Sequence, residues 1–278
     1  MILVFSSPLA VVTATAVIGL TGLGCGLLLA MAARFLAVHE DERIEALTEC
    51  LPGINCGACG MAGCADYARA IIQDDAPVNL CKPGGEETLR AICSYLGIEA
   101  QAGEREVALV LCGGHDGVAK HQAAYNGIAD CTAAERIGGD GKACPFGCLG
   151  LGSCARVCPV NAIEITGQRL AVVHPALCIG CQACVKACPR RLIRMVPESR
   201  RVHILCRSTD RGPVVRKYCE VGCIGCNRCV KAVDRQGIAM DGALAVVDYT
   251  TPIEDVTVAG TCPQATIVIR DGRKEGEG

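Results

Sequence analysis

The chain has few of the side chains that usually fill a large hydrophobic core. It contains no Trp and only three Phe among 278 residues. A core with so few large side chains is thin, and a ligated metal can supply the missing folding free energy. The net charge is only −2, so the overall charge gives no indication of nucleic-acid binding.

Motifs that would indicate a catalytic site are also missing from the sequence. It has no Rossmann glycine fingerprint and no P-loop, which argues against a nucleotide site on this chain. The five His are scattered, and His115, His121 and His174 fit surface or structural positions better than ligand positions. No Ser/His/Asp set indicates hydrolysis. We therefore predict no catalytic residue, and no cofactor site except those built from cysteine.

The first 33 residues carry no charged side chain. An α-helix needs about 20 apolar residues to cross a bilayer, and the run from Leu9 to Met31 meets that requirement. A cleavable signal peptide is the alternative, but the run is too long and no basic segment precedes it. We expect one membrane helix in the cell inner (cytoplasmic) membrane. The cysteine-rich remainder should lie in the cytoplasm, where thiols stay reduced.

Cysteine is the residue that the chain has in excess, with 23 in 278 residues. Most of these cysteines fall in tight clusters. Such spacing in an intracellular protein more often indicates metal or redox ligands than disulfide partners. The first cluster follows the pattern C-x2-C-x4-C-x16-C, with glycines that let backbone amides turn toward sulfur. Its candidate ligands are Cys56, Cys59, Cys64 and Cys81.

Four thiolates also suit zinc, so a zinc site is the alternative for this first motif. The other motifs in the chain favour iron and sulfur. Residues 65–73 and 86–96 have helical character, with Cys64 at the start of the first helix. Cys50 falls outside the spacing, and Cys93 is interpreted as a buried apolar side chain in the second helix.

From residue 144 the chain repeats itself. Two runs, C-x3-C-x5-C-x3-C-P and C-x2-C-x2-C-x3-C-P, resemble those of two-cluster bacterial ferredoxins, in which the fourth Cys of each run ligates the other cluster. One cluster is therefore predicted on Cys144, Cys148, Cys154 and Cys188, and its twin on Cys158, Cys178, Cys181 and Cys184. Two β-hairpins are predicted to follow the runs, at residues 162–173 and 192–205. A short strand is predicted at 107–111, while Cys112, Cys131 and Cys206 remain unassigned.

A third unit keeps only half of this pattern, with a predicted hairpin at residues 238–247. Cysteine is lost at positions 233, 252, 255 and 258, which hold Val233, Pro252, Asp255 and Val258. Under the crossed ligation rule all four lost positions belong to one cluster. The other cluster keeps its ligands, Cys223, Cys226, Cys229 and Cys262. Cys219 in place of Cys262 is the alternative. The total is then four [4Fe–4S] clusters on sixteen cysteines.

The chain resembles the B subunit of the Rnf complex, an ion-translocating ferredoxin:NAD oxidoreductase of bacterial membranes. The resemblance covers essentially the whole chain, and its motifs are LPGINCGACGMAGC, ACPFGCLGLGSCARVCPVNAI and CIGCQACVKACP. It implies an electron-transfer subunit that takes electrons from soluble ferredoxin and relays them to membrane partner subunits. The alternatives are an electron-input subunit of another membrane redox complex or a zinc-binding structural protein.

The predicted fold class is α+β: a transmembrane helix, a small mostly helical [4Fe–4S] domain, and bacterial-ferredoxin-like units of short hairpins and helices around clusters. The predicted segments are 1–34 (transmembrane anchor), 35–100 ([4Fe–4S] domain), 101–143 (connecting segment), 144–206 (two-cluster ferredoxin-like domain), 207–270 (degenerate ferredoxin-like domain with one cluster) and 271–278 (charged C-terminal tail).

One stretch of the chain is strongly basic. Residues 186–217 contain ten Lys or Arg and two acidic residues, a balance of +8 in a chain whose net charge is −2. Bacterial ferredoxins of the kind this family uses tend to be acidic, and opposite charges steer encounters between proteins. We expect Arg190, Arg191 and Arg194 to contribute to a docking surface for ferredoxin. A solvated basic loop, or a face against anionic lipid, is the alternative.

Overall fold

The computed structural model describes residues 8–35, 41–99 and 104–270, and the predicted tail at 271–278 lies outside them. The helices are α1 (Pro8–Phe35), α2 (Glu42–Glu49), α3 (Cys64–Gln73), α4 (Gly85–Leu96), α5 (Cys131–Arg136), α6 (Ser153–Arg156), α7 (Ala183–Ala187), α8 (Gly212–Tyr218), α9 (Arg228–Ala232) and the 3₁₀ turn η1 (Val256–Thr261). The strands are β1 (Glu106–Val110), β2 (Ile163–Ile165), β3 (Ala171–Val173), β4 (Ile193–Pro197), β5 (Val202–Ile204), β6 (Ile238–Asp241), β7 (Leu244–Val247) and β8 (Ile267–Ile269).

Helix α1 contains 28 residues, almost all apolar. At about 1.5 Å per residue it spans about 42 Å, more than the roughly 30 Å of a bilayer core. Its Thr15 hydroxyl donates to the Val11 carbonyl at 2.9 Å, so this polar group is satisfied within the helix. Within the described residues it is the one helix long and apolar enough to cross a membrane.

Helices α3 and α4 form where the sequence predicts them, with Cys64 as the first residue of α3. Tyr67 of α3 is almost completely buried. Its hydroxyl donates to the Pro77 carbonyl at 2.7 Å and accepts from the Leu80 amide at 3.1 Å. These two bonds hold the loop that leads directly to Cys81. Helix α4 ends at Gly97, whose φ of 68° is the left-handed conformation that glycine favours at a helix end.

The strands form two units, and the strands of each unit pair in the same pattern. In the first unit, β1 through β4, the outer strands β1 and β4 pair with Val107 opposite Val196, and β2 and β3 form the inner hairpin. In the second unit, β5 through β8, the outer strands β5 and β8 pair and β6 and β7 form the inner hairpin. The two inner hairpins and strand β1 confirm the sequence prediction.

The hairpin predicted at residues 192–205 is wrong. Its two halves are strands β4 and β5, and each pairs with a strand from another part of the chain. Ile193 of β4 lies opposite Val110, and Ile204 of β5 lies opposite Ile267. Both outer strand pairs bury their apolar residues in one shared core, which a local hairpin would not do. We therefore propose a boundary between Pro197 and Val202, with β1 inside the first unit rather than in a connecting segment.

Candidate metal centres

The cysteines of the first motif face one another at the start of α3. Burial raises the pKa of Cys81, a backbone N–H from Gly84 opposes this, and the thiols of Cys64, Cys56 and Cys59 raise it further. The Asn55 side chain accepts a hydrogen bond from the Cys64 amide at 2.8 Å. This contact ties the turn before the first two cysteines to the helix that begins at the third.

A second set of cysteines lines a cavity of about 360 Å³ in the first unit, here called the Cys188 cavity. Its thiols belong to Cys131, Cys148, Cys154 and Cys188. Burial raises the pKa of Cys154 to about 12, and the thiols of Cys148, Cys131 and Cys188 add to this effect. Cys144, which the sequence spacing places in this set, lines a different cavity. The structure therefore places the Cys131 thiol, and not that of Cys144, beside the thiols of Cys148, Cys154 and Cys188.

Cys131 reaches this cavity because its loop is tied to the turn that carries Cys154. The Cys131 amide donates to the Ser153 hydroxyl at 2.8 Å, and that hydroxyl donates to the Asp130 carboxylate at 2.7 Å. The Asp130 side chain also caps α5 by accepting from the Ala133 amide. Arg156 completes the contact with an ion pair to Asp130 at 2.9 Å.

A third set lines the Cys158 cavity, of about 330 Å³, on the other side of the first unit. Its thiols are those of Cys158, Cys178, Cys181 and Cys184. These are the residues that the sequence predicts, and the contribution of Cys158 follows the crossed ligation rule. The Ala162 amide donates to the Cys158 sulfur at 3.2 Å, and the Ala108 amide donates to the Cys178 sulfur at 3.4 Å. The backbone thus presents donors to sulfur, as it does around iron–sulfur clusters.

The second unit has one cavity of this kind, the Cys262 cavity, of about 350 Å³. Its thiols are those of Cys223, Cys226, Cys229 and Cys262. Burial raises the pKa of Cys229, and the thiols of Cys223, Cys226 and Cys262 raise it further. Cys219, the alternative fourth member, lies in another cavity. Cys262 reaches the set because η1 ends beside α9.

A fourth cavity, of about 400 Å³, lies where the two units meet. We call it the Cys206 cavity, and its thiols are those of Cys112, Cys144, Cys206 and Cys219. Burial raises the pKa of Cys144 to about 11, and the thiols of Cys112 and Cys219 add to this effect. The sequence motifs do not connect these four residues, because they lie far apart along the chain with no ligand spacing.

Each thiol set offers four sulfur ligands, which is the donor set of both iron–sulfur clusters and structural zinc sites. The ferredoxin-like arrangement of hairpins around the sets favours iron and sulfur. Burial also raises the pKa of most of these thiols, for example that of Cys184 to about 12. Iron can supply the positive charge that makes buried thiolates stable.

Arg190 does not lie on a free surface, contrary to the docking prediction. Its side chain is 7 % exposed and its Nε forms an ion pair with Glu135 at 2.6 Å. Its Nη1 donates to the Gly147 carbonyl at 2.8 Å and to the Cys144 carbonyl at 3.3 Å. Arg190 therefore supports the loop between the Cys188 and Cys206 cavities. Arg191 and Arg194 are exposed, as the prediction requires.

The fold and the thiol sets define an iron–sulfur protein built from bacterial-ferredoxin-like units. Family models agree: residues 51–83 match one described as a putative Fe–S cluster, and residues 171–194 match a 4Fe–4S binding domain.

Relatives cover nearly the whole chain. The B subunit of the Na⁺-translocating ferredoxin:NAD⁺ oxidoreductase complex of Acetobacterium woodii is 36 % identical, over 93 % of this chain and 78 % of its own. The B subunit of the ion-translocating oxidoreductase complex of Methanosarcina acetivorans is 36 % identical, over 93 % of this chain and 98 % of its own. The B subunit of the proton-translocating ferredoxin:NAD⁺ oxidoreductase complex of Clostridium ljungdahlii is 40 % identical, over 90 % of this chain and 89 % of its own. The chain belongs to this family of Rnf-type B subunits.

Proposed function

We propose that this chain is the electron-transfer subunit of a membrane-bound, ion-translocating ferredoxin:NAD oxidoreductase complex. It accepts electrons from soluble ferredoxin and passes them to partner subunits. The proposed ligand sets are the four cysteines of the first motif and those of the Cys158, Cys188 and Cys262 cavities. When bound there, [4Fe–4S] clusters supply reversible one-electron transfer, and the protein supplies the ligands, the N–H donors and the burial that tune it.

The observation that carries this proposal is the adjacency of the thiol sets. Burial raises the pKa of Cys181, an N–H from Ala183 opposes this, and the thiol of Cys56 in the first set raises it further. The Cys184 thiol in turn contributes to the raised pKa of Cys154 in the Cys188 cavity. Lys82, next to Cys81, forms an ion pair with Glu106 of β1 at 3.5 Å. The first set therefore lies against the first unit, which is the arrangement that a relay requires.

The test is to purify the intact complex without oxygen and to identify its subunits and cofactors. The proposal expects partner subunits with flavin, bound iron and acid-labile sulfide, and reduction of the bound chromophores by ferredoxin. Co-purification with the subunits of a different redox complex would contradict the family role. Zinc in place of iron would contradict the electron-transfer role.

Membrane attachment through α1 is a separate part of the proposal. All the candidate ligands follow residue 55, so deletion of residues 1–33 should release a soluble, coloured protein that keeps its iron. The experiment is done in a strain without the partner subunits. A truncated protein that still sediments with membranes would show that α1 is not the sole anchor.

We propose that the exposed Arg191 and Arg194, and not the buried Arg190, contribute to a docking surface for ferredoxin. Changing both to Gln should slow reduction by ferredoxin at low salt and weaken the salt dependence, because the opposite charges no longer steer the encounter. Lys231→Gln with Arg235→Gln is the matched control, since both side chains are exposed, lie outside the basic stretch and remove the same charge. Equal rates in the two double variants would place the entry point elsewhere.

A further inference from the structure

The four cysteines of the Cys206 cavity come from both ferredoxin-like units. Cys112 follows β1 and Cys144 precedes α6, whereas Cys206 follows β5 and Cys219 follows α8. Like the Cys188 and Cys262 cavities, this cavity is lined by four cysteine side chains. The same lining of four thiols indicates a similar occupant.

Backbone amides donate to two thiols of this set. Cys112 accepts from the amides of Gly114 at 3.4 Å and Cys148 at 3.3 Å. Cys206 accepts from the amide of Ser208 at 3.4 Å, and the Cys223 amide lies near enough to oppose the rise that burial causes in the pKa of Cys206.

Amides also lie beside the other two thiols. Those of Phe146 and Gly147 oppose the rise that burial causes in the pKa of Cys144, and those of Val221 and Gly222 do the same for Cys219. Amides directed at sulfur help to set the potential of an iron–sulfur cluster, and Cys158 and Cys178 in the Cys158 cavity accept in the same way.

A buried cation lines the cavity beside these thiols. The Lys142 side chain is completely buried. Its ammonium group donates to the carbonyls of Cys148 at 2.9 Å and Gly114 at 3.1 Å, and to that of Arg169 at 3.2 Å. One carboxylate, that of Asp116, lies 3.6 Å from it. A buried ammonium group with a single, partly exposed counter-charge favours an anionic neighbour, and a cluster held by four thiolates is anionic.

The cysteines outside the five sets lie in or beside helices. Cys25 belongs to α1 and Cys93 is buried in α4. The Cys50 thiol follows α2 and donates to the Ala46 carbonyl at 3.5 Å. The five sets use the other twenty of the 23 cysteines.

We propose that Cys112, Cys144, Cys206 and Cys219 hold a fifth [4Fe–4S] cluster, which joins the two ferredoxin-like units. The Cys148 amide, whose thiol lines the Cys188 cavity, donates to the Cys112 sulfur. Cys223, whose thiol lines the Cys262 cavity, lies close to Cys206, because its amide and its thiol both influence the pKa of Cys206. The site thus touches its neighbours on both sides. Its role as a relay rests on the proposed function, but its occupancy does not.

The first experiment counts iron and acid-labile sulfide in the full chain, purified without oxygen. The proposal expects about twenty irons, four for each cubane, instead of about sixteen. About sixteen irons, with zinc in the remaining set or with its four thiols free or oxidised, would overturn it. The count needs no variant, so it does not depend on any mutant folding, and it is independent of ferredoxin oxidation activity.

Double variants show which cysteines share a cluster. Cys144→Ala with Cys206→Ala removes two ligands of one proposed site, so the loss should be about four irons, as in either single variant. Cys144→Ala with Cys131→Ala removes ligands of two sites and should lose about eight. If Cys144 instead belonged with Cys148, Cys154 and Cys188, the second pair would also lose only about four, which would overturn the proposal.

Cys93→Ala is the control, because that thiol is buried but lies outside all five sets, and its iron content should equal that of the wild type. Low-temperature electron paramagnetic resonance of the reduced Cys206→Ala protein provides the second readout. The proposal expects the loss of one cluster signal and retention of the others. A spectrum identical to that of the wild type would contradict it.

Discussion

The two ferredoxin-like units share one strand arrangement but differ in what fills it. The first unit encloses two thiol sets, those of the Cys158 and Cys188 cavities. The second encloses one, that of the Cys262 cavity. Where the sequence pattern would place the other cluster, the second unit has Val258, which is 1 % exposed, and the partly buried Val233, which packs against the core.

The other two positions of that pattern lie in a surface turn. Asp255 and Pro252 are exposed, and the Asp255 side chain accepts from the Thr257 amide at 2.9 Å, so it caps η1. Ile253 also packs against the core. In a chain with so few aromatic residues, an inorganic cluster and a small group of apolar side chains therefore serve the same structural purpose. Each fills the space between a short helix and its hairpin.

The largest expected effect is the loss of a cluster ligand in the first unit. Cys184→Ala should lose about four irons and lower the free energy of unfolding by more than any apolar substitution in the second unit, because cluster binding contributes to folding. Iron analysis and denaturant unfolding under argon measure the two effects. An unchanged iron content would exclude Cys184 as a ligand.

In the second unit, the loss of a buried apolar side chain should lower the free energy of unfolding instead. Val258→Ala removes two buried methyl groups and should lower the free energy of unfolding by about 2 kcal/mol, with the iron content unchanged. Val214→Ala is the matched control, because that side chain is 42 % exposed. If the two substitutions lower the free energy of unfolding equally, Val258 does not fill the space where the pattern would place a second cluster.

Removal of the buried guanidinium of Arg190 tests whether this side chain stabilises the first unit. Arg190→Gln breaks the ion pair with Glu135 and the bonds to two carbonyls, and should cost about 1–2 kcal/mol, because Glu135 remains partly solvated. Arg191→Gln, at an exposed neighbour, should have almost no effect on the free energy of unfolding. Urea denaturation of the two variants gives the comparison, and equal midpoints would contradict the structural role.

A smaller, pH-dependent effect distinguishes the second unit. Burial lowers the pKa of His203 from 6.5 to about 4, with a further contribution from Arg270, and its Nδ1 forms a hydrogen bond of 3.0 Å with the Tyr249 hydroxyl. The unfolded chain therefore binds a proton at a pH where the folded chain does not, and stability falls as the pH falls below 6.5. The expected loss is about 1 kcal/mol for the first pH unit.

His203→Gln should remove this pH dependence while the iron content stays constant. Chemical unfolding midpoints, measured from neutral pH down to about pH 5.5, test it. The same slope in both proteins would assign the acid sensitivity to another group.

Motif spacing together with the crossed ligation rule predicted the thiols that line the Cys158 and Cys262 cavities, and local residue patterns predicted the two inner hairpins. In each case the residues lie within one ferredoxin-like unit. Cys131 could not be placed in this way, because it reaches the Cys188 cavity through the contacts of Asp130 with Ser153 and Arg156. The only indication in the sequence that this run departs from the usual ferredoxin pattern is its spacing, because five residues instead of two separate Cys148 and Cys154.

The pairing of the outer strands could not be predicted for a related reason. Strands β4 and β5 are joined by four residues, which suits a hairpin, and nothing local indicates that each has a partner far away in the chain. Only the burial of both outer pairs in a common core decides between these arrangements. The Cys206 cavity depends on the same long-range pairing, because β1 precedes Cys112 and β5 precedes Cys206.

The division of the Cys206 cavity between the two units has a consequence for biosynthesis. During translation the first motif is complete once Cys81 has been made, and the Cys158 and Cys188 cavities are complete once Cys188 has been made. The Cys206 cavity must wait for Cys219, after the second unit has begun to emerge, and domains generally fold as they are synthesised. A ribosome that stalls between residues 198 and 205 would therefore leave Cys112 and Cys144 without either proposed partner, exposed to oxygen and to wrong metals.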